Sequence, residues 1–209
     1  MAKSYRPQHI LSSNTKTGCS INLPIKHHCR PTKNCSKTCY ARSGYTALPN
    51  SLRKQEWVSK YLSGGDISEL IRECSSKTAV RLSGTGDIQT EHLPNLLRLA
   101  RACPATQFWG MTRKLEIAKA LNGELSNLRL MVSVDSSSPK AVWKYNGTLC
   151  YGPRLKTDRV PNMKNLRTVF PYHSRGRVVN DMPTHPKDCQ AVWHNIDGCL
   201  QCRRCWTWK

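Results

Sequence analysis

The sequence predicts an α/β protein, a partial (β/α) barrel of parallel strands, on three observations. Apolar strand-like runs alternate with helix-like stripes between residues 50 and 180. The loops between them are short, as right-handed crossovers between parallel neighbours require. Four or five such units fit in the 209 residues, too few for a complete eight-fold barrel. One domain is expected, with a cysteine-rich, irregular segment on each side of the core, at 1–49 and 181–209.

The first helix is expected over Ser51–Leu62, where Leu52, Trp57, Val58, Tyr61 and Leu62 share a stripe. Gly64-Gly65 ends it, and Asp66 is placed to cap a second helix carrying Ile67, Leu70 and Ile71. Thr78–Ser83 reads as a strand stopped by Gly84-Thr-Gly86-Asp87, and Leu93–Ala102 as a helix. Thr106–Thr112 is the next strand and Leu115–Leu121 the next helix. Leu128–Val134 is the clearest strand. Asp135-Ser-Ser-Ser-Pro139 then offers a cap and a first-turn proline for a short helix to Lys144. Further strands are expected at Thr148–Tyr151 and Leu166–Phe170.

Functional groups in such folds gather at the carboxyl ends of the strands. Here those ends carry Ser83, Gly84, Gly86 and Asp87, then Thr112, Arg113 and Lys114, then Ser133 and Asp135. Ser83, Gly84, Gly86 and Asp87 are the candidate cofactor-binding residues, with helix capping as the plainer explanation of the polar ends. No phosphate-binding loop, Gly-x-Ser-x-Gly or His-Glu-x-x-His occurs, and Gly84-Thr-Gly86 is too short for a dinucleotide fingerprint.

A net charge of +20, from 33 Lys and Arg against 13 Asp and Glu, exceeds what solubility needs and makes nucleic acid a candidate partner. Arg154–Arg159 and Arg175-Gly-Arg177 are candidate parts of such a surface. No apolar run is long enough to span a membrane, and the first residues lack the apolar stretch of a secretion signal. The expected location is therefore the reducing cytoplasm, where the 11 cysteines, an odd number, argue for metal rather than disulfides.

Three cysteines stand within seven residues as Cys199-x2-Cys202-x2-Cys205, with Cys189 upstream as a fourth candidate ligand. That spacing lets one tight loop hold three corners of a [4Fe–4S] cubane. Zinc more often takes two separated Cys-x-x-Cys knuckles and is the alternative metal. The second group, Cys29-x5-Cys35-x3-Cys39, provides three thiolates, enough to hold three irons and leave a fourth open. Cys19 or a C-terminal thiolate is available to close that site and make it purely structural, and in a separate reading the chain ends meet and share one site rather than hold two. His27 and His28 adjoin Cys29, but surface imidazoles are the plainer reading. Cys74, Cys103 and Cys150 are expected to pack as small hydrophobes, and Trp193, Trp206 and Trp208 to shield a cluster from water or stack on bases. With zinc, the protein would be a metal-stabilised nucleic-acid-binding module without catalysis.

Four segments in order resemble the phage-encoded gene product eighty-eight family. These are Asn14–Gly18 followed by Ser20–Pro24, Cys35–Ala41, Val80–Asp87, and Cys199-x2-Cys202-x2-Cys205-Trp206. The resemblance implies architecture and a phage protein in the host cytoplasm rather than a named chemistry. A more distant likeness is to radical S-adenosylmethionine enzymes, which join a three-cysteine cluster loop to a partial barrel. It implies a cluster on Cys29, Cys35 and Cys39 at the barrel mouth, with S-adenosylmethionine near Ser83–Asp87. Those enzymes space their cysteines x3 and x2, whereas x5 and x3 occur here.

Overall fold

The computed structural model describes residues 5–14, 17–155, 158–170, 173–174, 177–178, 185–189 and 199–205. Trp193, Trp206, Trp208 and Arg175 lie outside them.

A hairpin, β1 (Ser12–Asn14) and β2 (Gly18–Ser20), opens the chain, followed by the short helix α1 (Lys33–Thr38). Two helices come next, α2 (Pro49–Ser63) and α3 (Ser68–Ser75). Alternation begins at β3 (Ala79–Leu82) and runs through α4 (Leu93–Ala102), β4 (Gln107–Thr112), α5 (Leu115–Leu121), β5 (Leu128–Val134), α6 (Lys140–Trp143) and β6 (Leu149–Tyr151), and β7 (Leu166–Val169) then follows β6 with no helix between them among the described residues. A two-stranded ribbon, β8 (His173–Ser174) and β9 (Arg177–Val178), and a final helical turn, α7 (Cys199–Cys202), complete the described elements.

Seven strands form one sheet in sequence order, β1 to β7; β1 runs antiparallel to β2 and every later neighbour is parallel. The sheet is open: the strands do not close into a barrel, and the described tie at the β7 edge is a parallel bridge from Val169 to Asp188. The first 49 residues, expected to be irregular, contribute two strands and a helix. Three-residue strands rich in Ser and Gly carry no alternation that periodicity can detect.

Strand alternation gives the sheet two different faces. Val80, Leu82, Phe108, Leu128 and Leu130 point to the helix side and join Val58, Leu62, Leu70, Leu96, Leu99, Ile117 and Leu121 in the main core. Val132, Val134, Leu149, Tyr151 and Leu166 continue it toward β7. The other face carries Ala79, Arg81, Trp109, Met111, Met131, Ser133, Cys150 and Thr168, and Arg81 lies 5.5 Å over the Trp109 ring. The C-terminal segment lies on this face, with Cys199 of α7 and Cys205 packed against Ala79 and Trp109.

Candidate functional site

The segment between β2 and α2 crosses the carboxyl ends of the strands and carries Cys29, Cys35 and Cys39. Its path is fixed by hydrogen bonds at both sides. Asp135, at the end of β5, is fully buried, and its carboxylate accepts from Thr32 Oγ1 (2.5 Å), Ser137 N (2.9 Å) and Ser137 Oγ (2.8 Å). Thr32 is the N-cap of α1 and accepts from the Cys35 amide at 3.2 Å. Asn34 adds two bonds to the same turn, its amide to Ser137 Oγ and its Nδ2 to Ser136 Oγ. The Cys35 helix is thus docked on the β5 terminus through a cap that a carboxylate holds in place. On the far side Tyr40 donates its hydroxyl to the Gly84 carbonyl, beside β3.

The glycines of the Ser83–Asp87 turn explain how closely this segment can approach. A Cβ on Gly86, where φ is +69°, would meet the Leu23 and Pro24 carbonyl oxygens at 2.4 Å, and one on Gly84 would meet Asn22 Oδ1 at 2.3 Å. Leu23 N donates to Thr85 O, Gly84 N to Ile21 O and Thr85 Oγ1 to Leu23 O, so residues 21–24 and 83–86 run as a continuation of the β2–β3 pairing. Ser83 donates to Met111 O at 3.0 Å. Asp87 is buried and accepts from Ile88 N (2.8 Å), Thr112 Oγ1 (2.7 Å) and Arg113 N (3.0 Å). Burial pushes its carboxyl above the usual carboxylate range, and those three bonds and Lys114 oppose the rise. The four residues expected to bind a cofactor therefore stand at the strand ends, with these polar groups engaged in building the turn.

Two cations flank the thiols. Arg113 pairs with Asp135 at 3.0 Å and donates to the Gly152 carbonyl at 2.6 Å. Lys114 is buried, donating to Ile88 O (3.0 Å) and Gln89 Oε1 (2.6 Å), and burial lowers its pKa. Cys29 is pushed up to about 12 by burial, then by Asp87, Cys39 and Cys35, while Lys114 pulls it back. Burial also raises Cys35, which the charge and a hydrogen bond of Arg113 oppose. The three thiols therefore share one electrostatic neighbourhood. Behind Cys29, Gln89 N donates to His92 Nδ1 (3.2 Å), so His92 Nε2 carries the proton and donates to Ser59 Oγ (3.1 Å); Ser59 in turn faces His28 Nε2 at 3.4 Å. His28 is thus half-buried in the frame instead of standing at the surface.

The C-terminal thiols form a second neighbourhood, on the sheet face away from the helices. Burial, then Cys189, Cys199, Cys150 and Cys202, holds Cys205 well above the usual thiol range. Arg204 donates to the Asp188 carbonyl and Arg167 to the Arg204 carbonyl, tying this segment to β7. Cys189 sits at the sheet edge, its amide donating to Val169 O. Cys150, expected as a packing thiol, is buried in β6 beside this group, with its pKa raised to about 12 by burial and eased by Ser133, Arg113 and Arg81. Among the described residues no three His, Cys, Asp or Glu side chains are drawn together closely enough to hold one metal ion. No helix among them is long and apolar enough to cross a membrane.

Fold and site define a class: an open, mostly parallel α/β protein with clustered thiols across the carboxyl ends of its strands. The sequence profile of the Gene product 88 family matches residues 2–207, almost the whole chain. The protein belongs to that family, a family of phage proteins. No curated protein and no solved structure matches it. Sequence reading singled out the thiols; it missed Thr32, Asp135 and Tyr40 as the residues that fix them. The Asp135-Ser-Ser-Ser turn was visible, but its acceptor capacity is directed to a partner over a hundred positions away.

Proposed function

We propose that the protein is an iron–sulfur protein in which Cys29, Cys35 and Cys39 hold a [4Fe–4S] cluster. The observation carrying this reading is the grouping of three soft, partly buried thiols beside Arg113 and Lys114, at the end of a parallel sheet where ligands gather. A tetrahedral zinc ion needs thiolate sulfurs about 3.8 Å apart, from a metal–sulfur distance of about 2.3 Å. A cubane places its thiolates on separate irons and so spreads them wider.

When bound, the cluster supplies one-electron redox chemistry, with one iron left open by a three-thiolate loop. The residues of the chain hold and screen it. Arg113 and Lys114 offset the charge of Cys35 and Cys29 once they lose their protons. Asp135, through Thr32, fixes the helix that carries Cys35. The sequential strand order supports reading the sheet as one arc of a (β/α) barrel, with the thiol segment over its mouth. Cys189, Cys199, Cys202 and Cys205 are the candidate ligands of a second, structural cluster on the inner face. S-adenosylmethionine finds a poor fit, because Ser83, Gly84 and Asp87 already spend their hydrogen bonds on the turn, and no step is derived through it.

Anaerobic purification with iron, acid-labile sulfide and zinc analysis tests the reading. Iron and sulfide in equal amounts are expected, falling by one cluster in Cys35→Ala and unchanged in Cys103→Ala. Zinc without sulfide, or an iron content indifferent to Cys35, overturns it. Calorimetric binding of S-adenosylmethionine to the iron-loaded protein would restore the enzyme reading.

A further inference from the structure

The charge of the chain is segregated. Residues 1–55 contain ten Lys and Arg and no Asp or Glu; the first acidic residue is Glu56. This acid-free stretch includes the thiol segment, which faces outward over the strand ends. Lys26, Lys33, Lys37, Arg42 and Arg53 are exposed there, and among the described residues none pairs with a carboxylate. The one exposed cation of the segment that does, Arg30, reaches Glu116 at 2.9 Å.

Aromatic surface is set among these charges. Tyr45 is 88 % exposed and Tyr40 51 %, flanking Arg42, and Leu48 is exposed just beyond them. Tyr40 is held by its hydroxyl on Gly84 O, so its ring cannot fold back onto the frame without losing that bond. Neither ring is needed for the core. Rings left in water between unpaired cations offer faces on which unstacked bases can pack, while the cations track phosphates. A duplex has no unstacked base to offer them.

We infer that this face binds single-stranded nucleic acid, its backbone along Lys33, Lys37 and Arg42 and a base stacked on Tyr45. The surface is independent of what the thiols hold. It does place any bound strand directly over them, so that reactivity at the strand ends would be directed at nucleic acid.

Fluorescence anisotropy of the full chain with labelled 20-mers of dT and of rU tests this. Both are expected to bind, with log K falling against log salt at a slope of about −2, from three phosphate contacts at about 0.7 each. Whether DNA or RNA binds tighter identifies the natural strand. Tyr45→Ala is expected to weaken binding by about 5- to 150-fold, the range of one lost stack, with an unchanged melting temperature. Lys33→Glu with Lys37→Glu should lower both affinity and salt slope, whereas Arg101→Glu with Lys119→Glu, on the helix layer, should alter affinity by less than about 3-fold. Equal losses from the two charge-reversal pairs, equal affinity for a 20-bp duplex, an indifferent Tyr45→Ala, or binding only to anionic phosphatidylserine vesicles would each overturn the assignment.

Discussion

Asp135→Asn changes one atom type and removes the charge that anchors the thiol segment. In the native protein the carboxylate is fully buried, and its partner Arg113 has only 12 % of its side chain exposed. The Oδ2 atom faces two donors, Arg113 and Thr32, while Oδ1 faces the two donors of Ser137. An asparagine has one acceptor oxygen, so either orientation aims its NH2 at donors. It also leaves the Arg113 cation without a counter-charge. Removing one member of a buried pair costs about 3–5 kcal/mol. The Gly152 carbonyl, 2.6 Å from Arg113, retains part of the guanidinium stabilisation, which points to the lower end, about 3 kcal/mol. With a urea m-value of about 2 kcal/mol/M, the unfolding midpoint should fall by about 1.5 M. Iron loading should fall as well, because Thr32 loses the acceptor that orients its cap on Cys35. In the double mutant with Arg113→Met no uncompensated charge remains, and the two losses should be less than additive by about 2 kcal/mol. A midpoint shift below about 0.3 M, or strict additivity with Arg113→Met, would refute the view that this ion pair holds the segment down.

Gly86→Ala should be far more damaging than Gly84→Ala. The first forces a side chain at positive φ against two carbonyl oxygens, about 3 kcal/mol or more and a melting temperature lower by about 6–12 °C. The second meets chiefly the Asn22 and Ser20 side chains and should lose about half that, so equal losses in thermal melts would contradict the packing described. Stability should also drain between pH 6.5 and 4. His92 is buried neutral with its pKa lowered to about 4, so the unfolded chain takes up the proton first, and about 3 kcal/mol present above pH 6.5 is lost as pH falls to 4. Asp87, raised by burial, acts in the opposite sense, so the check is that His92→Gln flattens the acid limb relative to wild type in urea titrations at each pH. Cluster loading should release protons and weaken as pH falls, since burial keeps Cys29 and Cys35 protonated in the metal-free protein. Loading at pH 6 equal to that at pH 8 would count against thiolate ligation by these two residues.

The core elements were legible because their information is local. Leu115–Leu121 and Leu128–Val134 coincide with α5 and β5, where apolar spacing alone decides which face is buried. Asp66 precedes Ile67, the N-cap of α3, and accepts from Ser68 N at 2.9 Å, so it braces the helix start from one residue outside the cap position. What stayed hidden is the information carried by long-range pairing. Gly18-Cys-Ser20 is a strand only because β3 offers it an edge, and Gly84 and Gly86 resemble a ligand loop in sequence although their missing side chains make room for Asn22, Leu23 and Pro24. The same distinction applies to the thiols. Spacing in sequence marks Cys199, Cys202 and Cys205 most strongly, yet Cys199 and Cys205 pack against Trp109 on the sheet face opposite the main core, and Cys205 lies beside the buried Cys150. The loosely spaced Cys29, Cys35 and Cys39 stand at the strand ends, under a cationic, aromatic surface. Tight spacing reports a self-contained loop, which suits a structural clamp. Loose spacing leaves the thiols to be positioned by the fold, and Asp135, Thr32 and Arg113 are the residues that position Cys35. The three thiols that sequence marks less strongly are therefore the better placed for reactivity.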